Sequence, residues 1–189
     1  MIGAIEFDTA RLRLRQWRAS DRAPFAALNA DARVMEYLPN RLDRAASDAM
    51  ADRCQALIAE RGWGLWAAEF KDTREFIGFV GLHIPVAALP FSPCVEIGWR
   101  LACANWGQGL ATEAARGALG IAFVRLDLSQ VVAFTAPGNF RSRAVMQRLG
   151  MVDALAAFNH PSVPAGHPLR AHCLYRLSRS QWQWQATEK

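Results

Sequence analysis

Trp106-Gly107-Gln108-Gly109-Leu110-Ala111-Thr112-Glu113-Ala114 follows a strand-like run, Val95-Glu96-Ile97-Gly98-Trp99-Arg100-Leu101, and opens a helical pattern that continues to about Arg125. A strand, a turn with glycines at alternate positions and a long helix together form a physical recipe for holding phosphate. Backbone N–H groups at a helix start lack intrahelical partners, the helix dipole adds positive potential there, and glycine lets an anion approach the backbone closely. Gly107 and Gly109 supply that access. By themselves, two glycines ahead of a helix also describe a plain connector. Neither the Walker A pattern nor G-x-G-x-x-G is present, which turns the reading away from nucleoside triphosphates and dinucleotides. Gly117 and Gly120 lie inside the helix, where each costs about 1 kcal/mol against alanine. Close packing of that face on a sheet is therefore expected.

Working outward toward the N-terminus, residues 63–70 and 75–83 read as two strands joined by Lys71-Asp72-Thr73-Arg74, a polar connection of hairpin length. Residues 43–61 predict a helix with an apolar side of Ala46, Ala49 or Met50, Cys54, Leu57 and Ile58, ended by Gly62. Ser20-Asp21-Arg22-Ala23-Pro24 reads as another helix start, followed by Phe25 and Leu28. In Arg11-Leu12-Arg13-Leu14-Arg15 the period of two sends both leucines to a core and the three arginines to a solvated face, though an arginine stripe could also grip phosphate. Beyond the central helix, a strand at 130–135, a helix at 139–149 and strands at about 151–158 and 172–177 complete the chain. The class is α+β, without internal repeats or a linker.

Length and composition agree. The chain has 189 residues, 52% hydrophobic and 21% charged, so one folded domain over residues 1–189 is expected rather than a disordered chain. The net charge is +5, and Lys71 and Lys189 are the only lysines, so the basic residues are almost all arginine. That is mild basicity, below the clustered excess of a dedicated nucleic-acid binder, and no direct nucleic-acid partner is expected. Residues 1–20 hold Glu6, Asp8, Arg11, Arg13, Arg15 and Arg18 and no apolar segment of the secretory kind; no run is long enough for a membrane span. Cys54, Cys94, Cys103 and Cys173 are far apart, with neither zinc-ligand spacing nor a disulfide framework. A cytoplasmic location and no metal are the expectations.

Five segments in order give the chain a specific resemblance: Gly62-Trp63-Gly64-Leu65-Trp66, Ile77-Gly78-Phe79-Val80-Gly81-Leu82, the run 95–101, the stretch 106–114, and Asn139-Phe140-Arg141-Ser142-Arg143-Ala144-Val145-Met146-Gln147-Arg148-Leu149-Gly150-Met151. Together they resemble the GCN5-related N-acetyltransferase (GNAT) superfamily, in its RimJ/RimL-like branch of ribosomal-protein N-terminal acetyltransferases. The superfamily motif is Q/R-x-x-G-x-G/A. Gly109 and Ala111 match it, while Trp106 replaces Gln or Arg, as is common in that branch. The resemblance implies a twisted, mixed but mostly antiparallel sheet of about seven strands flanked by about four helices, with a splayed strand pair forming an acyl-CoA cleft.

Acetyl-CoA is the implied co-substrate, with a primary amine as acceptor. Its pyrophosphate would rest on the turn Trp106, Gly107, Gln108, Gly109, Leu110, Ala111 and Thr112. Its pantetheine would pair with the strand beside Trp99 and Leu101, and a backbone N–H near Leu101 would polarise the thioester oxygen. Asn139 and Ser142 match the family's N-x-x-S pattern on the pantetheine side; Asn139 also suits a helix N-cap, and the two roles can coexist. An ammonium must lose a proton before attack. Glu96, in an otherwise apolar strand, is the preferred base, with a structural carboxylate paired to a neighbouring Arg as the other reading. The loop from Phe158 to Pro168 would shape the amine site, and His160 within it is the reserve base. Neither Tyr37 nor Tyr175 falls where many GNAT enzymes keep a tyrosine acid, so Ser142 inherits that part. A non-catalytic acyl-CoA-binding module of the same fold is the alternative. The seven tryptophans could line a pocket or a homodimer face. Across residues 106–152, Arg116, Arg125, Arg141, Arg143 and Arg148 face only Glu113 and Asp127, a local excess suited to a ligand with three phosphates.

Overall fold

A computed structural model describes residues 3–187; Met1, Ile2, Glu188 and Lys189 of the expected domain lie outside the described residues. Local sequence chemistry sets the element ends. In α2 (Arg44–Arg61) the Asp43 carboxylate accepts the Ala46 N–H at 2.8 Å, and Gly62 closes the helix at φ 82°, donating to the Ile58 carbonyl at 2.8 Å. The buried face of α2 is Ser47, Ala51, Cys54 and Ile58. Ala46 and Ala49, expected on that side, are exposed. Ser47 displaces them because its hydroxyl receives a buried hydrogen bond from Asn29 of α1 (Arg22–Ala30) at 2.9 Å.

The strands β1 (Phe7–Asp8), β2 (Leu12–Arg15), β3 (Leu65–Phe70), β4 (Phe76–His83), β5 (Glu96–Leu101), β6 (Gln130–Thr135), β7 (Val152–Asn159) and β8 (Ala171–Ser178) form one sheet in the order β1-β2-β3-β4-β5-β6-β8-β7. Every neighbouring pair is antiparallel except β5 with β6. Among the described residues, eight strands and five helices stand where about seven and four were expected. The additions are β1, too short for any alternation to show, and α5 (Arg179–Thr187), whose Gln-rich sequence has no clear apolar period.

Strand alternation sorts the two faces. Trp66 lies opposite Val80, and Val80 opposite Trp99. This row faces α3 (Leu110–Gly120), since the Phe7 ring touches both Trp66, at 5.2 Å between ring centres, and Gly117. A Cβ on Gly117 would come within 2.5 Å of Phe7, so that glycine is a packing requirement; Gly120 meets nothing within 4 Å and is not one. The adjacent row, Arg15, Ala67, Phe79 and Arg100, faces α1, where Phe79 meets Phe25. Arg15 corrects the expected solvated arginine stripe. It is only 1% exposed, clasped by Asp21 at 2.7 and 2.8 Å and by Glu69 at 2.6 Å.

Candidate active site

One register pair joins β5 to β6, Glu96 with Val132. Val132 N–H reaches the Val95 carbonyl at 3.0 Å, while on the other edge Ala102 N–H reaches Ile77 at 2.9 Å. By alternation, the backbone groups of Trp99 and Leu101 turn toward β6. Past Glu96 the two strands diverge, so among the described residues no strand meets those groups. The gap opens into a cleft of about 1640 Å³ that reaches both faces of β5. Roughly 300–1,000 Å³ holds one small ligand; this volume has room for two reactants.

At one end lies the glycine turn. Gly107 and Gly109 have φ of 74° and 77°, the left-handed region where a Cβ is penalised. The first backbone hydrogen bond of α3 runs from Glu113 N–H to the Gly109 carbonyl, leaving the N–H groups of Leu110, Ala111 and Thr112 without an intrahelical partner. Trp106 ties the turn to β5 through Nε1, which donates to the Leu101 carbonyl at 2.9 Å. Arg11 clamps it from the other side. Its Nε donates to Glu113 Oε2 at 2.7 Å, its backbone N–H to Oε1 at 2.7 Å, and Nη2 to the Gln108 carbonyl at 3.0 Å. Burial pushes the Glu113 carboxyl up, but the hydrogen bonds from Thr9 and Arg11 outweigh it and hold the pKa below the usual value. Arg116 and Arg148 complete a basic rim, Arg116 donating to the Arg148 carbonyl at 3.0 Å. Arg125 and Arg143 do not line the cleft.

On the α1 face, the pairing of His83 with Glu96 across β4 and β5 places His83 Nε2 at 2.8 Å from Glu96 Oε2. The carboxylate is thus paired, though with an imidazole instead of an arginine. Burial lowers the His83 pKa, but the hydrogen bond and charge of Glu96 dominate and leave it raised. Next along the strand, Gly98 faces open space, with nothing within 4 Å of a built Cβ, and Gly81 lies opposite it. Arg100 follows. Its Nη1 donates to Asn29 Oδ1 at 2.7 Å, and its guanidinium sits 5.4 Å from the centre of the Phe79 ring.

The family model described as acetyltransferase (GNAT) domain matches residues 11–152. This chain belongs to the GNAT acetyltransferase family. A Bacillus subtilis protein named YkkB, described as uncharacterized, is 35% identical over 146 residues, covering 76% of this chain and 83% of that one. Among solved structures, a GNAT-family acetyltransferase from Bacillus anthracis superposes with a TM-score of 0.78 at 20% identity, covering 93% and 99% of the two chains. Mycobacterium smegmatis RimJ, solved in complex with CoA-disulfide, gives 0.71 at 20%, covering 96% and 94%. The chain is an N-acetyltransferase by family.

In this GNAT fold Glu96, Ser142 and the expected co-substrate residues line the cleft, apart from Gln108, whose backbone carbonyl accepts from Arg11. Asn139 is the N-cap of α4 (Phe140–Arg148), its Oδ1 accepting from Ser142 N–H at 3.2 Å and its Nδ2 donating to Thr135 at 3.0 Å. Ser142 lines the cleft. His160 does not; burial lowers its pKa, and its Nδ1 accepts the Ser162 N–H at 3.2 Å. None of the loop residues 158–168 lines the cleft; Arg33, Val34, Tyr37 and Leu38 do. That tyrosine passes within 3.5 Å of a Cβ built on Gly138, just ahead of α4. Tyr175 is buried and receives a hydrogen bond from Arg143 at 3.3 Å. Sequence reasoning passed over His83 and Arg100, set Tyr37 aside, and named Arg11 only within a stripe that could grip phosphate; cross-strand register or long-range contact brings all four to the cleft.

Proposed function

We propose that the protein transfers acetyl from acetyl-CoA to a primary amine by direct attack of the amine nitrogen on the thioester carbon, releasing the CoA thiol. The observation that carries this reading is the meeting, in one cleft, of an anion-binding turn, an unpaired strand edge and the Glu96–His83 pair. The residues fit the co-substrate. Gly107 through Thr112 would hold the pyrophosphate through backbone N–H groups, with Arg11, Arg116 and Arg148 adding charge beside it. Trp99 and Leu101 would align the pantetheine as an added strand, with Leu101 N–H aimed at the thioester oxygen. Bound acetyl-CoA supplies the activated acyl group.

Glu96 takes the proton from the acceptor ammonium, and His83 holds its second oxygen in place. Ser142 gives the departing thiolate its proton, with Tyr37 as the second hydroxyl in the same cleft. A thiol near pKa ~8.5 needs little help at neutral pH. An α-amine near ~7.7–8.0 asks less of Glu96 than a lysine amine near ~10.4, which favours a protein N-terminus, as in a RimJ/RimL-like enzyme, or a small-molecule α-amine. Thiol release from acetyl-CoA with an amine panel, with mass spectrometry of the products, tests the reading. Glu96→Gln is expected to lower kcat by about 10²–10⁴-fold with the KM for acetyl-CoA retained. Acetyl-CoA binding with no amine modified would make the protein a binding module instead.

A further inference from the structure

We infer that the acceptor carries a carboxylate as well as its amine, and that Arg100 binds that carboxylate while the amine lies at Glu96. The inference rests on the acetyl-transfer reading of the cleft. Arg100 lines the cleft, and its hydrogen-bond acceptors among the described residues are Asn29 Oδ1 at 2.7 Å and Met50 Sδ at 3.8 Å, both on Nη1. No carboxylate among the described residues lies within ion-pair distance of it, and neither Nε nor Nη2 has a protein acceptor there. The side chain is part-open to the cleft, yet enough protein surrounds it that burial depresses its pKa to about 10. A cation held this way is costly unless an anion joins it. The guanidinium fork with two uncommitted edges matches a planar carboxylate.

The CoA phosphates are not that anion. Arg100 sits on the α1 face of β5, in the row of Phe79, whereas the glycine turn leads into α3 on the opposite face. Between Arg100 and Glu96 the strand presents only Gly98, a floor without side chains, along which an acceptor can lie with one end at each residue. An uncompensated cation also repels an acceptor whose only charges are positive, which turns the site away from polyamines.

Matched acceptors test this by kcat/KM for thiol release: glycine, β-alanine, γ-aminobutyrate and glycylglycine against their amides, and alanyl-glutamate amide against alanyl-glutamine amide. The first series presents a free amino-acid carboxylate and the second an acidic side chain on an N-terminal peptide. In at least one pair the acid is expected to lead by roughly tenfold to a hundredfold, mostly in KM. That ratio should collapse toward one in Arg100→Gln and survive in part in Arg100→Lys, with both variants melting like the parent. Amides that serve as well as acids throughout, or a ratio untouched in Arg100→Gln, would overturn the inference. If no amine is turned over, the transfer reading fails separately, and calorimetry with glutarate decides the anion site: binding to the parent but not to Arg100→Gln supports it, and no difference refutes it.

Discussion

Arg15 and Arg100 occupy the same cross-strand row on the same face of the sheet, separated by Ala67 and Phe79, yet they are opposite electrostatic objects. Arg15 is sealed between Asp21 and Glu69, and their hydrogen bonds and charges outweigh burial and raise its pKa. Arg100 has an amide and a thioether for company, and burial lowers its pKa to about 10. A charge neutralised inside the fold is part of the scaffold. A charge left uncompensated beside a cleft is completed from outside.

Substitution should separate the two most sharply in stability. Arg15→Leu strands the Asp21 carboxylate in the interior, while Glu69 keeps Arg18 and Arg74, each at 3.3 Å. The expected loss is about 3–5 kcal/mol, read from urea unfolding, because removing one partner leaves a buried charge unpaired. Arg100→Gln should change the unfolding free energy by about 1 kcal/mol or less, in either direction. Equal losses would erase the distinction between scaffold and site.

A second contrast lies within one element. Gly109→Ala places a Cβ at φ 77°, a strain of about 1–2 kcal/mol, at the turn proposed to hold phosphate. Its KM for acetyl-CoA is expected to rise about tenfold. Gly120→Ala meets open space in a helix and should raise the melting temperature slightly, with kinetics unchanged.

The smallest effect is a pH dependence. The His83 pKa is raised in the folded state, so the His83–Glu96 pair contributes stability in full below the unfolded value near 6.5. That contribution fades as pH climbs through the raised folded value. Thermal melts should show a shallow decline there that His83→Gln removes. The Arg15 cluster, whose arginine titrates far higher, contributes no slope in that window.

Legibility followed the range of the interactions. The ends of α2 were readable because Asp43 caps a backbone N–H three residues on and Gly62 needs only its own φ. The glycine turn was readable for the same reason. The same alternation that correctly buried Leu12 and Leu14 sent Arg15 to solvent. Period two states which residues share a face; it cannot state that a turn carrying Asp21 will fold over that face. Glu96 was singled out from its apolar strand, but its partner His83 depends on the register of β4 against β5. His160 does not line the cleft because it sits at the start of the β7–β8 connection, where its N–H bonds to the Arg170 carbonyl at 2.8 Å, although it still feels the Glu96 charge.

By itself the sequence determined the α+β class, most of the elements and the glycine turn, because caps, left-handed glycines and apolar periods act over a few residues. Tertiary structure alone decided which charges line the cleft and what pairs them. Arg11 reaches Glu113, His83 reaches Glu96, and Arg100 meets no counter-ion among the described residues, only once the strands are in register and α1 and α2 are packed over them. The net effect of a charge depends on which groups surround it, and those groups come from distant parts of the chain.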